Sequence, residues 1–159
     1  MQISYKQALI LSALASFGLL AGACWFEIIV GLPPCTLCIW QRWPHAIIIA
    51  IAGIGLVAIK QNWMLLLIAL SAISTALIGL YHSGVEQGWW SGPSGCSNQL
   101  NSDTDISSLT TSLLEMPVVK CDEIAWSLMG ISMAGWNSIA SFAIAVFAFL
   151  CWKKLTQTH

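Results

Sequence analysis

The sequence PPCTLCIWQRWP, from Pro33 to Pro44, joins two long apolar runs and contains two cysteines at a two-residue spacing. If this segment is helical, Cys35 and Cys38 lie one turn apart, and Arg42 lies a further turn along on the same face. The proline pair suits a helix start, and Pro44 predicts a break or kink just before it. A thiol at a helix N-terminus near a fixed positive charge is stabilised as the reactive thiolate. The stretch therefore predicts a redox-active or metal-binding dithiol at the edge of a membrane.

Composition places the chain among integral membrane proteins. Of its 159 residues, 57% are hydrophobic and only 8% are charged, and the mean hydropathy is +0.77. A soluble domain carries roughly 25% charged residues, so a soluble protein is excluded. The net charge of -1 and the lack of a basic patch give no reason to expect a nucleic-acid partner. The length fits a single membrane domain over residues 1–159.

Apolar runs predict an all-α protein with a bundle of four transmembrane helices, at about 7–26, 44–59, 63–82 and 136–152. The first run could instead be a signal peptide. It has no clear small-residue cleavage site, however, and three more spans follow it, so we interpret it as a transmembrane helix. Tryptophans at the polar boundaries of the runs indicate an interfacial aromatic belt rather than a cofactor cage.

Two loops connect the spans on one side of the membrane, at about 27–43 and 83–135. In the second loop, Asp105 can cap a short amphipathic helix that Pro117 ends. Its apolar face would consist of Ile106, Leu109, Leu113 and Leu114. We expect this helix to lie on the membrane surface, although an ordinary helix packed on the ends of the spans would have the same pattern.

The charges predict the orientation. Four of the six basic residues flank one side of the membrane: Lys6, Lys60, Lys153 and Lys154. Arg42 and Lys120 lie on the other side, together with all seven acidic residues. Because positive charge is concentrated in cytoplasmic loops, both termini and the Lys60 turn are predicted to be cytoplasmic.

Four cysteines then lie on the outer face, which in bacteria is the oxidising periplasm: Cys35, Cys38, Cys96 and Cys121. They allow three pairings. Cys35 and Cys38 are the natural vicinal pair. A structural zinc site would need all four thiolates in one tetrahedron, and there is no second Cys-x-x-Cys, so no metal is expected. Cys24 and Cys151 fall within the spans, and Cys24 is interpreted as a small buried hydrophobe.

Three features together resemble the DsbB family of bacterial disulfide-bond-formation proteins. They are CTLCIWQR after the first span, a cysteine in the long loop, and PVVKCDEIAWSLMGISMAGWN before the last span. The resemblance covers essentially the whole chain. It implies an inner-membrane oxidoreductase that reoxidises a periplasmic thioredoxin-like protein of the DsbA type. The electrons would pass to ubiquinone or menaquinone.

The resemblance also implies roles for the cysteines, as two redox-active disulfides, Cys35–Cys38 and Cys96–Cys121. Cys96 would accept attack by the partner's thiolate, and Cys121 would then attack Cys35. Cys38 would be the thiolate that faces the quinone.

Arg42 and His82 are the residues expected to bind the quinone. Cys38 is one turn nearer to Arg42, whose cation could stabilise a thiolate and donate to a quinone oxygen. Arg42 could instead be an interfacial anchor, and His82 an interfacial polar residue held by a neighbour. The stretch from Tyr81 to Trp90 resembles only part of the family.

Two other functions are compatible with the pattern. One is a non-catalytic membrane scaffold whose disulfides only hold its outer loops. The other is a quinone-linked thiol enzyme of the vitamin K epoxide reductase type, which usually has its Cys-x-x-Cys nearer the end of the helical bundle. The position of this motif after the first span favours the DsbB type.

Overall fold

The computed structural model describes residues 3–58, 61–93 and 120–157. These contain four long helices and one short β-hairpin: α1 (Tyr5–Ile28), α2 (Thr36–Val57), α3 (Trp63–Glu86), β1 (Ser127–Leu128), β2 (Ile131–Ser132) and α4 (Met133–Gln157). Each helix is long and apolar enough to cross a membrane. The predicted all-α fold with four spans is therefore confirmed. The predicted helix between Asp105 and Pro117 lies outside the described residues.

The second span begins eight residues earlier than predicted, and Pro44 lies inside it. The expectation was a break or a kink just before Pro44; the break was wrong, because the helix continues through this residue. Proline removes one backbone hydrogen bond, whereas ending the helix there would leave many backbone groups unsatisfied in an apolar environment. A neighbouring helix also holds this turn, because the Ser71 hydroxyl on α3 donates to the Pro44 carbonyl oxygen at 3.4 Å.

The bundle packs around α3, which lies against both α2 and α4. Small residues let the helices approach closely, as is usual between membrane helices. At Gly79 on α3, an added Cβ would lie 3.0 Å from the Ala134 carbonyl oxygen on α4. The buried core contains, among others, Leu9, Ile48, Leu65, Ile68 and Ala148.

The outward faces of the helices are apolar and exposed, as the bilayer requires. Cys24 lies on such a face and is exposed, so its interpretation as a buried residue was wrong. The reason is that hydrophobicity does not separate core from lipid contact: an apolar side chain is stable in either place.

A tight antiparallel hairpin carries the chain back to the last span. Ser127 pairs with Ser132, and Leu128 pairs with Ile131. Met129 and Gly130 form its turn with positive φ angles of 54° and 77°. The sequence had suggested only an apolar return to the bilayer here. The hairpin sets the position at which α4 begins.

Candidate active site

Cys35 caps the N-terminus of α2. Its backbone is extended, and its sulfur accepts the backbone N–H of Cys38 at 3.3 Å. The Cys38 sulfur lies 2.9 Å from the Cys35 sulfur, and both residues are free thiols. The two sulfurs of the Cys-x-x-Cys motif therefore lie side by side at a helix start. The N-terminal end of the helix favours negative charge at this position.

His82, near the end of α3, lies beside the dithiol. Its Nε2 is 3.5 Å from the Cys35 sulfur. Glu86, one turn further along α3, has a carboxylate oxygen 3.9 Å from the same nitrogen. Both side chains are almost completely buried. Glu86 was not predicted as a site residue, although its spacing of four from His82 places both on one helix face.

These contacts stabilise a thiolate on Cys35. The hydrogen bond from the Cys38 thiol lowers the pKa of Cys35 from 9.0 to about 4, against the opposing effect of burial. His82 and the Cys38 backbone N–H lower it further. The sequence had instead suggested that the stabilised thiolate would be on Cys38, beside Arg42. In the structure the donors converge on Cys35.

Arg42 pairs with Glu27, at the end of α1. Its guanidinium NH1 donates to the Glu27 carboxylate, while its Nε is buried and has no hydrogen-bond partner among the described residues. Arg42 therefore faces the site with a donor still to be satisfied. Glu27 was not predicted as the partner of Arg42, because the two residues belong to different spans.

Below the dithiol, polar side chains from three helices form a connected cluster within the bundle. Gln41 Nε2 lies 2.9 Å from His82 Nδ1, and Gln41 Oε1 lies 2.7 Å from Asn137 Nδ2. Asn137 Oδ1 lies 3.0 Å from His45 Nε2. The Thr75 hydroxyl donates to the Gln41 backbone carbonyl and accepts from Asn137 Nδ2. Polar residues inside apolar spans are costly and are usually functional, and that signal could have identified them in the sequence.

A cavity of about 370 Å³ opens beside these residues. Its polar lining includes Cys35, Cys38, Arg42, His82 and Glu86. Apolar residues of α1 and of the segment before α4 also line it, including Leu19, Phe26 and Trp126. A mostly apolar cavity with a few convergent polar groups is typical of a binding site for a small organic molecule.

The same groups could hold a soft metal ion. The ligand atoms of Cys35, Cys38 and His82 all lie within 4.8 Å of one another. Structural zinc sites use four protein ligands, and this cluster of described residues offers three. The trio therefore resembles an open site more than a structural one.

Cys121, in the segment before the β-hairpin, packs beside the dithiol. It is fully buried, is disulfide-bonded, and packs in one cluster with Cys35, Leu37 and Val85. The structure thus brings three of the four predicted outer cysteines together. Cys96 lies outside the described residues.

Comparison with known proteins identifies the family to which the chain is similar. A family profile described as "Disulfide bond formation protein DsbB" matches residues 5–151. A protein of Verminephrobacter eiseniae named Disulfide bond formation protein B is 31% identical over 138 residues, covering 83% of this chain and 77% of that protein. One of the same name from a Polaromonas species is 26% identical over 163 residues, covering 96% and 93%.

A further relative is a protein of Rickettsia prowazekii named Uncharacterized protein RP370. It is 27% identical over 124 residues, which cover 76% of this chain and 72% of the relative. The family profile covers nearly all of the four-helix bundle, including the dithiol and the buried cysteine that packs against it. On this basis the chain belongs to the DsbB family of disulfide bond formation proteins.

Proposed function

We propose that this protein is a thiol–disulfide oxidoreductase of the bacterial inner membrane. It reoxidises a periplasmic thioredoxin-like protein of the DsbA type and passes the electrons to a membrane quinone, either ubiquinone or menaquinone. The observation that carries the proposal is the packing of Cys121 against Cys35, next to a cavity lined by Arg42 and His82. This arrangement joins a loop cysteine, a dithiol and a site for an apolar electron acceptor.

The first half of the reaction is disulfide exchange. A thiolate of the partner attacks Cys96 in a Cys96–Cys121 disulfide, forms a mixed disulfide and releases Cys121 as a thiolate. Cys121 attacks Cys35 of a Cys35–Cys38 disulfide and releases Cys38. The second thiol of the partner then breaks the mixed disulfide and releases Cys96.

The exchange ends with the return of the loop disulfide. Cys96 attacks Cys121, which restores Cys96–Cys121 and releases Cys35 as a thiolate. Two electrons have then moved from the partner to the Cys35–Cys38 pair. The contacts that stabilise a Cys35 thiolate favour it as the leaving group in this last step.

The second half reoxidises the dithiol. Cys35 and Cys38 form their disulfide again, and the two electrons, with two protons, convert the quinone to a hydroquinone. His82 and Arg42 are the residues that would donate hydrogen bonds to the quinone oxygens, since both line the cavity beside the sulfurs. The apolar wall of the cavity would hold the ring and exclude water.

The charge distribution supports the proposed orientation. Basic residues cluster at the ends opposite the dithiol, so both termini are cytoplasmic and the cysteine-bearing loops are periplasmic. A reporter active only in the cytoplasm should be inactive when fused after Ser102. An active fusion would contradict this orientation.

Anaerobic mixing of the purified protein with a reduced DsbA-type partner and a quinone tests the function. Quinone absorbance should fall as the partner becomes oxidised. Cys96→Ser should fail to oxidise the partner, although its chemically reduced Cys35–Cys38 pair still reduces quinone. Cys38→Ser should fail to reduce quinone yet trap a mixed disulfide with the partner. Cys151→Ala, far from the dithiol on α4, is the matched control and should behave as the parent.

The alternatives predict different outcomes. A scaffold with structural disulfides would show no exchange with the partner and no change in quinone absorbance. A metal-binding role for Cys35, Cys38 and His82 would make the activity depend on an ion, so activity lost on chelation and restored by zinc would favour it. Normal partner oxidation by Cys96→Ser would refute the assigned entry cysteine.

A further inference from the structure

The hydrogen bonds in the polar cluster below the dithiol have a fixed donor-to-acceptor direction. The Thr75 hydroxyl determines this direction. The Thr75 hydroxyl has one hydrogen, and it donates this to the Gln41 backbone carbonyl at 3.0 Å. Its oxygen can therefore only accept from Asn137, whose amide nitrogen lies 3.2 Å away. This contact identifies which end of the Asn137 amide is the NH2 group.

The orientation of Asn137 then decides that of Gln41. With its nitrogen facing Thr75, Asn137 donates to Gln41 Oε1 at 2.7 Å. Gln41 Oε1 is therefore an acceptor, and the Gln41 nitrogen faces the other way. A second contact requires the same orientation, because Gln41 Nε2 lies 3.3 Å from the Leu37 backbone carbonyl, which can only accept.

The chain of hydrogen bonds ends at His82. Gln41 Nε2 lies 2.9 Å from His82 Nδ1 and must donate to it, so Nδ1 carries a lone pair and the ring proton is on Nε2. That nitrogen lies 3.5 Å from the Cys35 sulfur. Among the hydrogen bonds of the described residues, Gln41 is the only partner of His82 Nδ1.

We infer that Gln41, oriented by Asn137 and Thr75, is a positioning residue that holds His82 with its Nε2–H directed at Cys35. A histidine ring that turned over would present a carbon or a lone pair to the sulfur instead. The amide chain keeps the donor in place before electrons reach the dithiol, so no reorganisation is needed when a thiolate forms. The inference rests on the proposed function for its purpose, but not for its geometry.

Other charged groups face this site and are held constant in the test. They are the titratable or charged side chains of Cys38, Arg42 and His45 on α2, Glu27 on α1, Glu86 on α3, and Lys120 and Glu123 in the segment before the hairpin. The variants below leave each of them unchanged.

The first measurement is nitrogen-15 NMR of the histidine rings in oxidised protein, where no thiolate influences His82. The parent should show one His82 tautomer, with the proton on Nε2 and a hydrogen-bonded lone pair on Nδ1. Gln41→Met, which has similar length and no donor, should shift the Nδ1 resonance toward the position of an unbonded nitrogen. Asn137→Leu should shift it in the same direction without touching the ring.

The matched control is Ser138→Ala. Ser138 donates to the Ala76 carbonyl at 2.8 Å, so it also bonds α4 to α3 but lies outside the directed chain. It should leave the Nδ1 resonance unchanged. A parent with its proton on Nδ1, or a Gln41→Met protein with the parent resonance, would overturn the inference.

The second measurement is the rate of alkylation of Cys35 in reduced protein as a function of pH. Gln41→Met and Asn137→Leu should each raise the midpoint by about one pH unit, as expected for a weakened hydrogen bond to a charged sulfur. Ser138→Ala should not move it. An unchanged midpoint in both variants would refute the positioning role. Neither measurement uses a partner or a quinone, so the proposed function could fail while this inference stands, and the reverse.

Discussion

Removing the Cys38 side chain should make Cys35 a markedly weaker acid. Three donors face the Cys35 sulfur: the Cys38 thiol at 2.9 Å, the Cys38 backbone N–H at 3.3 Å and His82 Nε2 at 3.5 Å. Cys38→Ala deletes the shortest contact and keeps the other two. A hydrogen bond to a charged group contributes about 1.5–3 kcal/mol, and one pKa unit corresponds to about 1.36 kcal/mol. The pKa of Cys35 should therefore rise from about 4 by roughly 1–2 units.

The assay is a short pulse of iodoacetamide on anaerobically reduced protein across a pH series, with Cys35 modification read from its own peptide by mass spectrometry. The parent should react well below neutral pH, because the thiolate is the nucleophile. Cys151→Ala is the control and should reproduce the parent profile. If Cys38→Ala shows the parent midpoint, the Cys38 thiol is not the main source of the stabilisation. A parent midpoint near 9.0 would refute the whole argument.

Three further outcomes are expected. Arg42→Leu should raise the KM for quinone about tenfold in steady-state assays, since a charge-assisted hydrogen bond is lost. A protein with both Arg42→Leu and Cys38→Ser should still trap the partner in a mixed disulfide as Cys38→Ser alone does. Gly84→Ala should lower the thermal midpoint, because an added Cβ would overlap the Trp90 indole and force it to move; an unchanged midpoint would contradict the packing. The Cys35 pKa is lowered on folding, so its contribution to stability is complete above pH 9.0 and is lost as the pH falls to about 4. The thermal midpoint of the reduced protein minus that of the oxidised protein should therefore rise with pH over that window. A difference that falls with pH would contradict the predicted lowering of the Cys35 pKa.

The number of spans and the position of the dithiol could be predicted because each depends on residues close together in the chain. A bilayer fixes the length of an apolar helix, so the four runs are visible without any knowledge of packing. The dithiol is also local, since Cys35 and Cys38 are one turn apart. Pro44 was misinterpreted because a rule for helices in water was applied inside a membrane.

The rest of the site depends on contacts between helices, which one sequence does not reveal. Gln41 and Asn137 are far apart in the chain, and they become partners only because α2 and α4 both pack on α3. Glu27 could not be matched to Arg42 because several acidic residues share that side of the membrane. Cys121 was expected to react with Cys35, yet nothing in its neighbouring residues indicated that it would be buried against it.

The sulfur that we propose as the electron acceptor, that of Cys35, also caps the start of a transmembrane helix. Cys35 accepts the Cys38 N–H as the N-cap of α2, and a thiolate is a far better acceptor than a disulfide sulfur. Each catalytic cycle would therefore strengthen and weaken the first turn of this helix in step with the redox state. The amide protons of that turn should therefore exchange with solvent more slowly when the Cys35–Cys38 pair is reduced than when it is oxidised.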